Sequence, residues 1–206
     1  FGERDCSVQR RHQKIWEEAP ASCLTSAERM KVCEMAIRLA AHVKYKGVGT
    51  VEFLYDNDRK SFHFIEVNTR IQVEHPTTEF ITGLDIVELM IKVAAGTKLD
   101  LEQSAITFKG HAIECRINAE DPDNGFFPSP GIVKKISVPS SENIRFDTFL
   151  TDGAEVPAFY DSMIGKLIAF GGNRKEALDN LSGAIDGLNI SGIASTISLH
   201  KKLAKN

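Results

Sequence analysis

Between residues 64 and 76 the chain reads FIEVNTRIQVEHP, and side-chain character changes at almost every step. In an extended strand, successive side chains point to opposite faces. Glu66, Asn68, Arg70, Gln72 and Glu74 then share one face, and Val67, Thr69, Ile71, Val73 and His75 share the other. The second face is mostly apolar and reads as a core face. The first holds two carboxylates, two amides and a guanidinium with no filler between them. It is either a solvated edge or a floor for a charged ligand. A straight strand from 66 to 74 would run ~26 Å at ~3.3 Å per residue, too long for one small-molecule site. The segment is therefore expected to bend at Arg70 to Val73. A bend there also frees backbone N–H groups, such as that of Val73, to bind an anion.

The residues just upstream sharpen the choice. Val48–Tyr55 and Phe62–Val67 read as two strands joined through DNDRKS, a hairpin signal. A simple turn centred near Arg59 sets Glu52 opposite Glu66. Directly opposed side chains stand ~4.5–5.5 Å apart at Cβ, and like charges there repel. A stable hairpin avoids that pairing unless a cation sits between the carboxylates. Magnesium takes octahedral oxygen ligands, usually one or two carboxylates plus phosphate oxygens and water. Glu52, Glu66 and Asn68 supply oxygens of that kind. The alternative is two exposed glutamates on a hairpin.

Elsewhere the pattern is that of a mixed chain. Thr25 with Glu28 is a capping box, opening a helix from about Ser26 to Tyr45 with Met30, Ile37, Ala40, Ala41 and Val43 as apolar contacts and Gly47 just past its end. A second helix is expected from Leu84 to Ala95, closed by Gly96. GHAIECRIN (110–118) alternates, with Ala112, Glu114, Arg116 and Asn118 on one face and Ile113, Cys115 and Ile117 on the other. Segments 132–138, 144–149 and 164–170 read as short strands. Asn173 with Glu176 caps a helix to about Leu188, and a last helix runs from Ser195. The order predicts an α+β chain with mainly antiparallel sheet. A composition shift near 100–110 divides it into residues 1–105 and 106–206.

Bulk properties exclude some classes. The 206 residues carry a net charge of −3, which argues against a general nucleic-acid binder. No apolar run approaches the ~20 residues of a membrane helix, so no membrane partner is expected. Four cysteines, at 6, 23, 33 and 115, show no CxxC spacing and read as reduced thiols in a cytosol-like compartment. The start, FGERDCS, runs from Phe straight into charged sequence, and HKKLAKN ends in a helical pattern without a stop. The chain reads as a fragment of a longer one.

Further candidates follow from side-chain chemistry. Arg70 and Arg116 offer planar forks suited to carboxylate, carbonate or phosphate, or to a developing enolate oxygen. Each taken singly also fits a surface or ion-pair arginine. Glu114, on the face of Arg116, is placed to orient it. Glu74, beside a bound anion, has the character of a general base; otherwise it is a solvated turn residue. His42, His63, His75, His111 and His200 show no metal spacing and read as packed or surface residues. His12, in QRRHQK with Lys14, lies in a cationic cluster. Nothing in the sequence near Cys6 supports a nucleophile there.

RDCSVQRRHQK, GTVEFL, FIEVNTRIQVEHPTTEFITGLDIVE, GHAIECRINAEDP, FFPSPG and FYDSMIGKLI occur in this order. Together they resemble the biotin carboxylase component of biotin-dependent acyl-CoA carboxylases, over nearly the whole chain and most weakly in 99–109 and 139–159. The resemblance implies the C-terminal part of an ATP-grasp domain (1–105) followed by the biotin carboxylase C-terminal domain (106–206). It implies an enzyme that uses ATP and bicarbonate to make carboxyphosphate and then carboxylates the ureido nitrogen of biotin on a carrier protein. Glu52, Glu66 and Asn68 then resemble the Mg2+ or Mn2+ ligands beneath the ATP phosphates. Gln9, His12 and Lys14 resemble the contacts to phosphate and bicarbonate. Arg70, Gln72 and the Val73 backbone resemble the bicarbonate pocket, and Glu74 the base that deprotonates bicarbonate. Arg116 resembles the residue that stabilises the biotin enolate, and Asp161 lies in a segment placed near biotin.

Family members are about twice as long, so the resemblance implies as partners the N-terminal half with its ATP lid, a biotin carboxyl carrier protein, a carboxyltransferase and a second copy in a homodimer. The fragment is expected to be inactive alone. Thr69 and Pro76 favour an acyl-CoA carboxylase, with a bacterial acetyl-CoA carboxylase preferred over pyruvate carboxylases. Two rival readings stand beside this one. Another ATP-grasp ligase, such as a carbamoyl-phosphate synthetase, would share the Glu…Glu-x-Asn signature but is not expected to carry RIQVEHP followed by GHAIECRINAEDP. A non-catalytic dimerisation module would need only residues 110–206.

Overall fold

The computed structural model describes residues 1–205. Its elements run β1 (Asp5–Arg10), β2 (Gln13–Ala19), α1 (Ser26–His42), β3 (Thr50–Asp56), β4 (Ser61–Asn68), α2 (His75–Thr82), α3 (Ile86–Ala94), β5 (His111–Asn118), β6 (Glu120–Asp121), β7 (Phe127–Pro128), β8 (Gly131–Ile132), β9 (Lys135–Ser137), β10 (Ile144–Thr148), β11 (Glu155–Val156), β12 (Met163–Gly171), α4 (Arg174–Gly187), β13 (Asn189–Ser191) and α5 (Ile197–Leu203). The chain is α+β, and its strand pairs β3–β4, β5–β12 and β10–β12 are antiparallel. It divides into two compact units. One comprises residues 1–5 and 19–109. The other comprises residues 6–18 and 110 onward, so the β1–β2 segment groups with the later half of the chain.

In the first unit the capping box forms as expected. The Thr25 hydroxyl accepts from Glu28 N at 3.3 Å, and the Glu28 carboxylate accepts from Thr25 N at 2.8 Å. That arrangement satisfies two of the orphan donors at the start of α1. Its far end differs from expectation. The helix stops at His42, and Lys44, not a glycine, takes the left-handed conformation (φ 53°). The expected apolar contacts Met30, Ile37 and Val43 are exposed, and Val32 is the residue that packs inward.

Strands β3 and β4 form a two-stranded sheet in which Glu52 does pair with Glu66. The register then slips, so that Phe53 pairs with Phe64 and Ile65 is the extra residue of a bulge. Strand β4 ends at Asn68, and the chain turns through 69–74 into α2. The single long strand with one polar face is thereby corrected. Glu66 and Asn68 belong to it, whereas Arg70, Gln72 and Glu74 follow the expected bend. The expected core face is also corrected at Val67, which is exposed like Phe64 and Ile65. Helix α2 was not expected. Pro76 sits in its first turn, where its missing N–H costs nothing, and Gly83 closes it in the left-handed region (φ 71°). Helix α3 starts two residues later than expected because the Asp85 side chain caps it, accepting from Glu88 N at 2.7 Å.

The second unit is built on a five-stranded sheet of order β1-β2-β5-β12-β10. Strand β5 is central and buried on both faces. Ile113, Cys115 and Ile117 turn towards the core, as the alternation predicts, and meet Leu181, Ala184 and Ile185 of α4. Deleting a side chain such as Leu181 would cost ~2–5 kcal/mol. Burial pushes the Cys115 thiol well above its ordinary value, which fits a packed thiol. Gly110 stands just before the strand, with φ +62° and a Cβ position 2.3 Å from the Gly171 carbonyl oxygen. Asn173 caps α4 as expected, accepting from Glu176 N at 3.0 Å.

His200, on α5, is wholly buried. Its Nδ1 accepts from the Trp16 indole N–H at 2.8 Å, and its Nε2 lies 2.8 Å from the Arg116 carbonyl oxygen. Burial pushes its pKa down to about 4, against a smaller opposing effect of the Arg116 carbonyl. The fold holds the neutral ring, so between pH 6.5 and about 4 the folded chain binds fewer protons than the unfolded one. This contribution is complete above pH 6.5 and is lost as pH falls towards 4, to the extent of roughly 3 kcal/mol. Urea unfolding across that window will show the loss, and His200→Gln will flatten it.

Candidate functional site

The candidate residues of the first unit gather at the open end of the β3–β4 hairpin. Opposed register puts two carboxylates face to face, and the side chains around them answer that repulsion. The Asn68 amide donates to Glu52 at 3.1 Å and to Glu66 at 3.2 Å. Gln72, buried, donates to the same Glu52 oxygen at 2.7 Å. Arg70 lies beside them with its guanidinium exposed. It donates to the Ile71 carbonyl at 3.1 Å and towards Asn68 Oδ1 at 3.4 Å.

Sequence reasoning missed Arg4, which fixes this arrangement. Its guanidinium donates to Gln72 Oε1 at 2.9 Å, to Thr78 at 3.0 Å and to Thr50 at 3.2 Å. Because Arg4 only donates, Gln72 must present its oxygen to Arg4 and its N–H to Glu52. No local signal could have found Arg4, since its partners lie 46 to 74 residues away. Past the bend, Val73 and Glu74 form a turn held by His75 Nδ1 on the Gln72 carbonyl at 2.7 Å. Glu74 precedes α2, and the residue is only 2% exposed. A buried carboxylate at a helix start has the placement of a base shielded from bulk water.

These residues fit a divalent cation. Two carboxylates and one amide converge, a set with two charges and room for water and phosphate oxygens, as magnesium requires. The amide N–H groups now stand where a cation would neutralise the carboxylates. Turning the Asn68 amide about its last torsion presents Oδ1 instead, giving three oxygen ligands. Among the described residues no cluster of three or more His, Cys, Asp or Glu forms a metal site. Glu52, Glu66 and Asn68 are a mixed set that could hold a cation.

In the second unit Gln9, His12 and Lys14 lie on the β1–β2 hairpin. Its two-residue turn is Arg11-His12, both at positive φ (50° and 65°). His12 is exposed at the tip, and Gln9 donates to the Cys6 carbonyl at 2.9 Å. Arg116 on β5 is gripped by Glu17 of β2: Nε donates at 2.6 Å and Nη2 at 2.5 Å to the same carboxylate oxygen. The Glu17 side chain is fully buried and that of Arg116 is 19% exposed, so the fork is fixed with its outer part open. Glu17 accepts from the side-chain head of Arg116, a partner that sequence spacing could not reveal across 99 residues. Asp161 accepts from Met163 N at 2.8 Å and lines a concavity of about 550 Å³ with Phe149, Val156 and Tyr160.

The unit with the acidic hairpin and the unit with the clamped arginine both find counterparts among known proteins. The first 102 residues match the carbamoyl-phosphate synthase L chain ATP binding domain, an ATP-grasp part, and residues 114–206 match the biotin carboxylase C-terminal domain. The Pseudomonas aeruginosa biotin carboxylase is 48% identical over all 206 residues, which cover 45% of that protein. The Campylobacter jejuni biotin carboxylase, solved with β,γ-ATP, is 47% identical with a TM-score of 0.94 over 98% of this chain and 45% of that one. The biotin carboxylase domain of Hydrogenobacter thermophilus 2-oxoglutarate carboxylase, solved as a dimer with MgADP and bicarbonate, is 44% identical with a TM-score of 0.96 over 100% of this chain and 45% of that one. The chain belongs to the biotin carboxylase family. It spans about half the length of the relatives it matches.

The cation reading makes a prediction independent of activity. Mn2+ will broaden the Asn68 side-chain amide signals in a 15N–1H spectrum, and Glu52→Gln or Glu66→Gln will abolish the effect. Broadening that survives both substitutions would place the ion elsewhere.

Proposed function

We propose that this chain serves ATP- and bicarbonate-dependent carboxylation of biotin within a biotin-dependent carboxylase. Family membership carries the reading, and the burial of Glu74 at the start of α2 supports it. Residues 1–105 are assigned to the ATP-grasp part and 106–206 to the C-terminal domain. Mg2+ or Mn2+, bound through Glu52, Glu66 and Asn68, would neutralise charge on the ATP phosphates. Gln9, His12 and Lys14 contribute polar and cationic groups for phosphate and bicarbonate. Lys14 would supply a compact positive charge against the negative charge that builds up in phosphoryl transfer.

Arg70, one N–H of Gln72 and the Val73 backbone N–H hold bicarbonate. Glu74 takes its proton, which leaves a better nucleophile for the γ-phosphorus of ATP. Carboxyphosphate and ADP result. Arg116 then holds the ureido oxygen of biotin as it gains enolate character, and Asp161 lies in the segment assigned to biotin. The preformed grip of Glu17 means that Arg116 needs no reorganisation to receive that charge, and preorganisation of this kind is usually the largest catalytic contribution.

The partners follow from the reaction: the remaining half of the enzyme with its ATP lid, a biotin carboxyl carrier protein, a carboxyltransferase and a second copy in a homodimer. Thr69 and Pro76 favour acetyl-CoA or a related acyl-CoA as final acceptor, although one similar structure belongs to a 2-oxoglutarate carboxylase. The reduced-thiol reading of the cysteines favours a cytoplasmic setting, or the mitochondrial matrix in a eukaryote.

The test joins this chain to the N-terminal half of the Pseudomonas aeruginosa relative. The fusion will release ADP from MgATP only when bicarbonate is present. Glu74→Gln will lower that rate by about 100-fold or more, the ordinary contribution of a general base. A folded fusion without bicarbonate-dependent ATP cleavage would contradict the proposal and favour a dimerisation module. A fusion unaffected by Glu74→Gln would remove Glu74 as the base.

A further inference from the structure

We infer that His200 is a positioning residue for Arg116, tying the arginine's backbone to the strand whose carboxylate holds its side chain. The inference rests on the reading that Arg116 serves biotin carboxylation, and it adds a residue that makes no claim on substrate.

The geometry has three parts. The first is the side-chain grip, in which Glu17 accepts from Nε and Nη2 of Arg116. The second is the imidazole bridge. The Trp16 indole nitrogen is a donor only, so His200 Nδ1 must be the acceptor at 2.8 Å. The neutral ring then carries its proton on Nε2 and donates it to the Arg116 carbonyl at 2.8 Å. One ring thus joins Trp16, the residue before Glu17, to the main chain of Arg116. The third part is the lead-in to α5. Thr196 N donates to the Asn118 carbonyl at 3.0 Å, and its hydroxyl accepts from Asn118 N at 3.0 Å. The same hydroxyl donates to the Arg116 carbonyl at 3.5 Å. The start of α5 therefore holds β5 at positions 116 and 118, and His200 carries that hold across to β2.

Neighbouring residues 16 and 17 are thus bridged to a single residue, 116, once through the backbone and once through the guanidinium. Either bridge alone leaves a freedom: the guanidinium could swing with its backbone, or the backbone could hold while the head moved. Both together fix the outer part of the fork. Misplacement by about 1 Å of a group that orients a substrate can cost on the order of 100-fold in rate. A purely packing role is a different proposition. An imidazole in that role could be replaced by an apolar side chain of similar size, whereas here such a replacement strips the Trp16 N–H of its His200 acceptor and leaves the Arg116 carbonyl with the longer Thr196 contact in place of the 2.8 Å one. The lowered pKa of the ring agrees with the geometry, because a protonated Nδ1 could not accept from Trp16.

Glutamine is the discriminating substitute. Its terminal amide carries an acceptor and a donor about 2 Å apart, like the two ring nitrogens, whereas leucine carries neither. The experiment uses the fusion described above and reads four quantities. These are kcat and KM for free biotin, bicarbonate-dependent ATP cleavage without biotin, melting temperature, and the Arg116 Nε–H and Trp16 Nε1–H signals in a 15N–1H spectrum of the chain. His200→Leu is expected to lower biotin carboxylation about tenfold or more while biotin-free ATP cleavage stays within about threefold, with both signals shifted. His200→Gln is expected to restore the carboxylation rate to within about threefold, with the signals near their original positions. Should His200→Leu fail to fold, Trp16→Phe takes its place, since it removes the indole donor along with part of the ring, and a loss of about threefold or more in carboxylation is expected.

A folded His200→Leu, or Trp16→Phe in its place, that keeps its carboxylation rate would overturn the inference. So would equal losses in His200→Leu and His200→Gln, or losses in both activities alike. Arg116→Gln separates the two levels of argument. If it leaves biotin carboxylation intact, the role of Arg116 falls, while the Arg116 Nε–H signal still decides whether His200 positions the side chain.

Discussion

Two like charges set against each other organise the polar structure of the first unit. Strand register brings Glu52 opposite Glu66, a pairing that costs stability unless something positive stands between them. The Asn68 amide supplies partial positive charge to both, and Gln72 supplies more to Glu52. Arg4 fixes which way Gln72 faces. A bulge immediately after Glu52 confines the opposed pair to the end of the hairpin. The chain then bends and enters α2, which buries Glu74. The repulsion is kept in the register, and a divalent cation with oxygen ligands there would relieve it.

The second unit solves a different problem, holding an arginine still at the side of a packed strand. Strand β5 is buried on both faces, which immobilises its backbone through core packing on one side and polar contacts on the other. A buried Glu17 would be costly alone, and Arg116 supplies the opposite charge at hydrogen-bond distance. The same sheet end gathers Trp16, Thr196 and His200, so the backbone on either side of the ion pair is tied down as well. Charge pairing and backbone anchoring thus meet at one residue.

The parts of this arrangement that were legible in the sequence are those set by local rules. Alternation in GHAIECRIN identified the core face of β5, and Thr25-x-x-Glu28 and Asn173-x-x-Glu176 marked two helix starts through capping geometry. Hairpin arithmetic found the Glu52–Glu66 opposition, but no sequence rule placed the bulge at Ile65. The β1–β2 hairpin went unread because its turn uses Arg11 and His12 at positive φ, where the usual signal is glycine or asparagine. Helix α2 was hidden because its first residues continue an alternating strand pattern, and Pro76 reads as a breaker when it is in fact a first-turn residue. Arg4, Glu17 and His200 act through partners far along the chain, and local spacing carries no trace of such contacts.

The central claim is that these residues serve transfer of carboxyl from bicarbonate to biotin. Its most direct measurement is the fate of 13C-bicarbonate supplied with MgATP and biotin to the fusion with the N-terminal half of the Pseudomonas aeruginosa relative. The account predicts 13C in N-carboxybiotin, formed in step with ADP and lost with Arg116→Gln. ADP formed without labelled carboxybiotin, or label transfer undiminished by Arg116→Gln, would contradict it.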